Sequence, residues 1–599
     1  MYKRQENYSA FVDFNTKIGN FKTNSINSKI YLPAIRYESF LNEFDWYFDS
    51  NEVELYSYAK VDESGYDTLT KAELIGKPLS GAKFVSTHSK QNSLEFYSSR
   101  ANYDLTNNIL KATDVKLIKI ADVAIYPDDG LLEIHENAVV QPLNNAIIIA
   151  DTINRNHTIT DAEVEIQSGS VYKAKGNYAF SNFIGEVQNV TFDQISVDAD
   201  SQTVATGTVG EGDHFELSPR FAFKGEISLN ARNPLLNFKG GYRIMQNFDS
   251  TVSRWVNFEQ RIDPEDITLP VPEQLLEHGY KKLYAGFFYS NEENKIYPAF
   301  LSRKNYYSDS LLFSVNGFLK NRKNGAELLI IPSSQIGLED DEAPNPPFLS
   351  WNIDHCSISG RGTLNFGQDF GRLKMDFYGE IEHNIFNDTS WFNVMMTVNF
   401  HFAENAFLIM AEDLASTQKP EINIESKLFK EGLTSLAGSS EVEKIYNDLT
   451  LYGQIRKIPD ALLKSFIFTD LKMTYHTDSR SFISKGSIGV AMVYGNPVFK
   501  YFDGYVQIVR RRSGDELNIY IELERGHWYF FNYKTYQMLA SSSRTDFNSA
   551  MKDMKPSARK EDERKGEPSY RFNISPDTQA KNRFLRFIQQ LESKEEEYE

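Results

Sequence analysis

Ten histidines are the side chains here best placed to bind a metal or move a proton near neutral pH. No two of them stand at His-x-x-x-His spacing, which would set both imidazoles on one helical face. His135 and Glu136 are adjacent in an extended stretch, so their side chains point to opposite faces and cannot close on one ion. Asp198-Ala-Asp200 opens like a calcium loop, but Thr203 takes the sixth position, where that loop needs glycine; a hairpin turn is predicted instead. GKPLSGAK (76–83) lacks the Gly-Lys-Ser/Thr ending of a phosphate loop, and no helical pattern follows GRGTLNFG (360–367), as a dinucleotide fingerprint would require. There is no Gly-x-Ser-x-Gly elbow, and the single Cys356 has no histidine partner that spacing can defend. Carboxylates are plentiful, but acid pairs for sugar hydrolysis are defined by separation in space, not in sequence. Arg510-Arg511-Arg512, at a strand end, is predicted to be a solvated turn. In HWYFFNYKTY (527–536), Trp528 and Tyr529 are the candidates for stacking on a sugar ring, although alternation turns half of these aromatics toward a core.

The elements that must position these residues are strands. Aromatics make up 14% of the 599 residues, with 43 Phe and 33 Tyr, which favours β-structure. The hydrophobic share of 41% and charged share of 24% belong to a folded chain. A net charge of −18 argues against a nucleic-acid partner and against adsorption to anionic membrane surfaces. One cysteine leaves no intrachain disulfide and no cysteine-based metal cluster. No run approaches the ~18 apolar residues of a spanning helix. No cofactor is expected.

Period-2 runs broken by Asn, Ser, Gly and Pro fill the chain from Ser9 to about Lys60 and again from Ala82 to about Ile244. In DAEVEIQ (161–167), Ala162, Val164 and Ile166 share one face while Glu163 and Glu165 take the other. PDDG (127–130) and Asn144-Asn145 are predicted turns. KAKGNYAF, FKGEISLNAR and NFKGGYRI repeat an aromatic-rich strand around glycine, and SRANYDL echoes NARNPLL. Helical spacing enters at ENAFLIMAEDLAST, SKLFKEGLTSLAG and SEVEKIYNDLTLYGQIRK, with a further helical turn at DALLKSF after Pro459. Residues 541–567 are expected to be loose, and AKNRFLRFIQQLESKEEEYE to be a final helix.

The SRANYDL strand, its short turn and the long alternating strands ending in IADTI resemble the repeats of the organic-solvent-tolerance and lipopolysaccharide-transport β-jellyroll proteins. The whole chain resembles the C-terminal part of a large Gram-negative envelope protein. That resemblance implies an open, folded-over sheet whose interior carries lipid, with Ile134, Ile147, Ile149, Val164 and Ile166 lining an apolar trough. It also implies a periplasmic or outer-membrane-associated location, with lipid or other envelope proteins as partners.

The resulting expectation is a mainly β protein of elongated antiparallel jellyroll or folded-over sheet segments, with a short helical insert and a C-terminal α+β meander. Its segments are expected at 6–81, 82–261, 262–403, 404–466, 467–540 and 541–599. Residues 1–5, Met-Tyr-Lys-Arg-Gln, match the translation of a transposon end used to prepare sequencing libraries, and are expected to be adapter. The expected function is a non-enzymatic envelope scaffold that handles or conducts lipid or lipopolysaccharide. The alternative is a carbohydrate-binding or carbohydrate-active surface protein on a β-helix or sandwich. An outer-membrane barrel fits poorly, because the chain ends in a charged helical pattern and its strands are irregular in length.

Overall fold

The computed structural model describes residues 8–596 apart from 24–27, 58–60, 62, 64, 183, 246–253, 278–280, 323–324, 340, 367–369, 453, 512–513, 565 and 576–577. Residues 1–5, expected to be adapter, lie outside the described residues. The protein is mainly β, with 51% strand and 16% helix. It folds as two units, Met1–Ile267 and Thr268–Glu599.

In the first unit the chain weaves between two antiparallel sheets. It lays two strands in one, crosses to lay two in the other, and returns. The first sheet runs in the order Tyr8–Asp13, Ile18–Thr23, Glu43–Tyr47, Glu52–Tyr56, Arg100–Asp104, Ile109–Thr113, Leu132–His135 and Val139–Val140. The second runs Lys29–Leu32, Tyr37–Phe40, Ala82–Ser86 and Glu95–Ser98. The hairpins of the first sheet share one chemistry. Each turn ends on a left-handed residue, Lys17, Asn51 or Asn108, at φ 56°, 55° and 57°. Asp13 and Asp104 open two of these turns by accepting hydrogen bonds from the backbone N–H of Asn15 and of Thr106 and Asn107. A third, eleven-stranded sheet begins at Ile118–Ile120 and ends at Val256–Arg261. Asn144-Asn145 is not a turn there. It lies inside the strand Leu143–Ala150 as an irregularity in pairing, with Asn145 at φ 53°.

The second unit is dominated by a sixteen-stranded sheet, accompanied by a small one of Lys295–Ser302, Tyr284–Ser290 and Ser310–Ser314. Helix α1 (Lys71–Leu74) belongs to the first unit; α2 (Glu404–Ser416), α3 (Lys427–Ala437) and α4 (Ser439–Tyr452) belong to the second. These last three are an insertion, because the strands on either side, Thr389–Asn399 and Phe466–His476, pair directly. Pro459 starts only a short 3-10 turn, Asp460–Leu462, before the chain becomes strand. The expected loose stretch 541–567 instead contains α5 (Thr545–Lys552), whose Phe547 and Met551 are fully buried. The final helix, α6, spans Gln579–Glu596. Sheets run across the expected boundaries at 81, 403, 466 and 540, since strand partners lie on both sides of each.

Each unit buries a histidine, and burial favours its neutral form. His157, wholly inaccessible, sits between the Tyr178 hydroxyl and the Asn233 carbonyl; burial lowers its pKa, against smaller opposing effects of Asn233 and Asp151. Burial likewise lowers that of His383. A base whose folded pKa is depressed adds nothing above its unfolded value of about 6.5, and the fold loses stability as pH falls below it, because only the unfolded chain takes the proton. Urea denaturation should therefore show the first unit weakening between pH 7 and 5, and His157→Gln should flatten that slope.

Candidate functional site

Cross-strand register decides what the first sheet presents on each side. Ala10 pairs with Phe21, Phe21 with Phe44, Phe44 with Leu55 and Leu55 with Ala101. Gly19 pairs with Trp46, Trp46 with Val53, Val53 with Tyr103, Tyr103 with Leu110, and Leu110 with Ile134. Paired residues share a face, so one side of this sheet is apolar over its whole width. The other side carries Asp45, Glu54, Asn102, Lys111 and Glu133 at the intervening positions.

Coverage of the apolar side changes from one end to the other. Ile134 and Leu110 are 0% exposed, Tyr103 3%, Leu55 2% and Val53 9%, whereas Trp46 is 38% exposed. Phe21 and Phe44, half-buried, stack with ring centroids 4.4 Å apart, and Tyr8 meets Phe44 edge-on at 5.7 Å. Trp46 packs edge-on against Phe48 at 5.0 Å. Gly19 makes room for this cluster, since a Cβ there would come within 2.9 Å of the Phe21 ring. The result is an aromatic cradle at the open end of a closed apolar layer. Phe21, Phe44 and Trp46 were not among the expected site residues, although the alternation in EFDWYF puts Phe44 and Trp46 on one face.

The five expected trough residues fall on separate surfaces. Ile134 lies at the closed end of this layer. Ile147 and Ile149 belong to a cluster with Ile75, Leu117, Ala124 and Tyr126, beside α1. Thr70 and Glu73 form a capping box that starts α1, a signal readable in TKAEL. Val164 and Ile166 take the opposite face of the third sheet, because Ile148, not Ile149, shares the side of Ile159. Val164 and Ile149 are 0% and 2% exposed, so both are packed by protein.

Trp528 and Tyr529 point to opposite faces, and neither is a free platform. Trp528 lies under α6 with Phe584 and Ile588, with the Lys581 ammonium 4.4 Å from its ring centre. Tyr529 is fully buried and donates to Asp413 of α2 at 2.7 Å, while Arg544 donates to the same carboxylate at 2.8 Å. Burial first, then this hydrogen bond, holds the Tyr529 hydroxyl well above the usual phenol range. Arg510 is not solvated: its guanidinium bonds to the Phe366 carbonyl and lies 4.7 Å from the Tyr289 ring centre. Asp198 caps a turn, accepting from the N–H of Asp200 and Gln202. His135 contacts Glu133 at 2.6 Å, while Glu136 accepts from Asn108.

A polar cleft of about 910 Å³ opens in the second unit at the start of α2, lined by Arg372, His401, Glu404, Tyr494, Lys560 and Glu567 among others. Its cations are already engaged. Arg372 lies 3.1 Å from Glu567, and Lys560 lies 2.6 Å from Asp562. Among the described residues no group of three or more His, Cys, Asp or Glu side chains could hold a metal ion, and no helix is long and apolar enough to cross a membrane. No protein-family model matches the chain, and no curated protein matches it.

These packing roles carry measurable costs. Trp528→Ala should destabilise the second unit by about 3 kcal/mol by emptying the site beneath α6. Tyr529→Phe should cost about 1 kcal/mol by removing one donor from Asp413. Urea denaturation followed by far-ultraviolet circular dichroism reads both.

Proposed function

We propose that this chain is a non-enzymatic β-scaffold of the bacterial cell envelope, and that its first unit receives the acyl part of a lipid at the open end of its apolar layer. The observation that carries this reading is the gradient of coverage, from Ile134 at 0% to Trp46 at 38%, along one continuous apolar face. Covering exposed apolar area is favourable by roughly 25 cal/mol per Å², and Tyr8, Phe21, Phe44 and Trp46 offer that area at one place. Aromatic rings suit an acyl ligand because they supply wide apolar contact with little conformational freedom to lose. The weave of paired strands between two sheets also agrees with the folded-over architecture implied by the SRANYDL and IADTI repeats.

The same gradient favours holding over conduction. Beyond Val53 and Leu55 the layer is filled by protein side chains, and an acyl chain could advance only by displacing them. The carbohydrate reading at Trp528 and Tyr529 has lost its surface, since both rings are buried.

A photoreactive amino acid placed singly at Phe44, Trp46, Asp45, Glu54 or Ile134 tests the reading with a labelled fatty acid or lipopolysaccharide. Labelling is expected at positions 44 and 46 and not at 45, 54 or 134. Labelling confined to the charged side, or absent at every position, would refute the proposal.

A further inference from the structure

At one hairpin of the second unit a hydroxyl, an imidazole and a carboxylate follow one another in space. The strand Lys374–Asn384 turns through residues 385–388 into Thr389–Asn399. Asn384 builds the turn, its side-chain carbonyl accepting from the backbone N–H of Phe386 and of Asn387, both at 3.0 Å. Asp388 closes the turn in a left-handed conformation, at φ 50°. Register then sets His383 directly opposite Ser390. Side chains facing each other in this way start about 5 Å apart at Cβ. His383 Nδ1 lies 3.0 Å from Ser390 Oγ, and the Asp388 carboxylate stands 3.7 Å from His383 Nε2.

Burial is graded along the three. His383 is 3% exposed and held in a row with Ile358 and, beyond it, Trp351. Ser390 is half-buried, and Asp388 is exposed. With the Nε2 proton turned toward Asp388, the Nδ1 lone pair is left to accept the proton of Ser390. Burial lowers the pKa of His383, with Asp388 opposing and Lys295 adding to the fall, so the ring is a neutral base near pH 7. Lys295 opens the strand Lys295–Ser302 of the small sheet, 3.5 Å from Asp388 and 3.0 Å from Glu293. On the neighbouring strand Phe466–His476, Tyr475 is uncharged in this range, because burial and then the Tyr289 hydroxyl raise its pKa. A hydroxyl beside a neutral imidazole that a carboxylate orients is the arrangement that turns serine into a nucleophile, and its contacts are often loose before the reactant arrives.

We infer that Ser390 is an acylation site, with His383 as its general base and Asp388 as a positioning residue, and that it takes the acyl group of a thioester or a similarly activated ester. Ser390 Oγ attacks the carbonyl carbon while its proton passes to His383 Nδ1. The C–S bond then breaks, and the sulfur leaves with the proton from His383, so one thiol is released for each serine ester formed. Attachment of a single acyl group is stoichiometric and needs no turnover, so it stands beside the reading of the chain as a non-enzymatic scaffold. It concerns the other unit and does not rest on the aromatic cradle.

The full chain should be treated with a fluorophosphonate probe and, separately, with p-nitrophenyl acetate, and the modified residue located by peptide mass spectrometry. An adduct is expected at Ser390, absent in Ser390→Ala and formed roughly a hundredfold more slowly in His383→Gln. Its rate should rise with pH to a plateau, with a midpoint below the ordinary imidazole value of about 6.5. Asp388→Asn should move that midpoint down and Lys295→Gln should move it up, because the two charges act on His383 in opposite senses. Both of these side chains reach solvent, so these variants carry the test should the buried His383→Gln fail to fold. A serine that only packs against His383 would give neither the adduct nor the profile. No adduct at Ser390 with either reagent, or one whose rate and pH profile are the same in every variant that keeps Ser390, would overturn the inference.

Discussion

Register between neighbouring strands is the constraint on which this structure depends. A strand has a side-chain period of two, so a slip of one residue at any hairpin would exchange the two faces of everything laid down after it. In the first unit the pairs Phe21–Phe44, Phe44–Leu55 and Leu55–Ala101 hold one face apolar while Asp45–Glu54 and Glu54–Asn102 hold the other polar. The hairpin turns guard that register. A left-handed residue at Lys17, Asn51 or Asn108 fixes the loop length, and Asp13 or Asp104 supplies hydrogen bonds that only one loop geometry allows. Apolar burial supplies the driving force, and the turns decide which residues receive it.

The second unit needs a different device, because many of its strands are apolar on both sides. The strand Ile488–Val493 is buried at every position, so hydrophobic patterning alone cannot tell one register from another. A ladder of polar side chains can. Gln507 donates to Ser481 at 3.3 Å and accepts from Asn518 at 3.0 Å, and Asn518 accepts from Asn532 at 2.7 Å. Shifting any one strand would strand buried amides without partners, at about 1–3 kcal/mol each. Asp413 does similar work between elements, drawing Tyr529 and Arg544 onto α2 and so tying the inserted helices to the sheet.

Strand content and the three helices after Glu404 were legible in the sequence because both follow from local periodicity. The weave was not legible. Alternation states that a residue has a buried side, but Ile147 and Val164 look alike in that respect and lie on opposite faces of one sheet, because Asn145 shifts the pairing between them. Bulges of this kind leave no mark in hydropathy. The stretch 541–567 misled for a related reason. Its helix buries only Phe547 and Met551, two residues that a charged neighbourhood outweighs in any windowed reading. Trp528 and Tyr529 were noticed for being aromatic, yet aromatic residues are as often core as platform.

The contrast between Trp528 and Trp391 shows what separates a covered aromatic ring from an exposed one on a sheet. Both are tryptophans on the outer side of strands in the same unit. Trp528 has α6 above it, brought there by the apolar spacing of Phe584 and Ile588 and by Lys581 over its ring. Trp391 has no such cover among the described residues, and its cross-strand neighbours, Glu382 and Thr474, could not attract one, because a helix laid over them would have to bury unpaired polar groups. A polar surround keeps protein off an aromatic ring, because any covering element would have to satisfy that surround. The aromatic cradle of the first unit obeys the converse rule. There Phe21, Phe44 and Trp46 are bordered on their own face by apolar residues, so whatever covers them must be apolar as well.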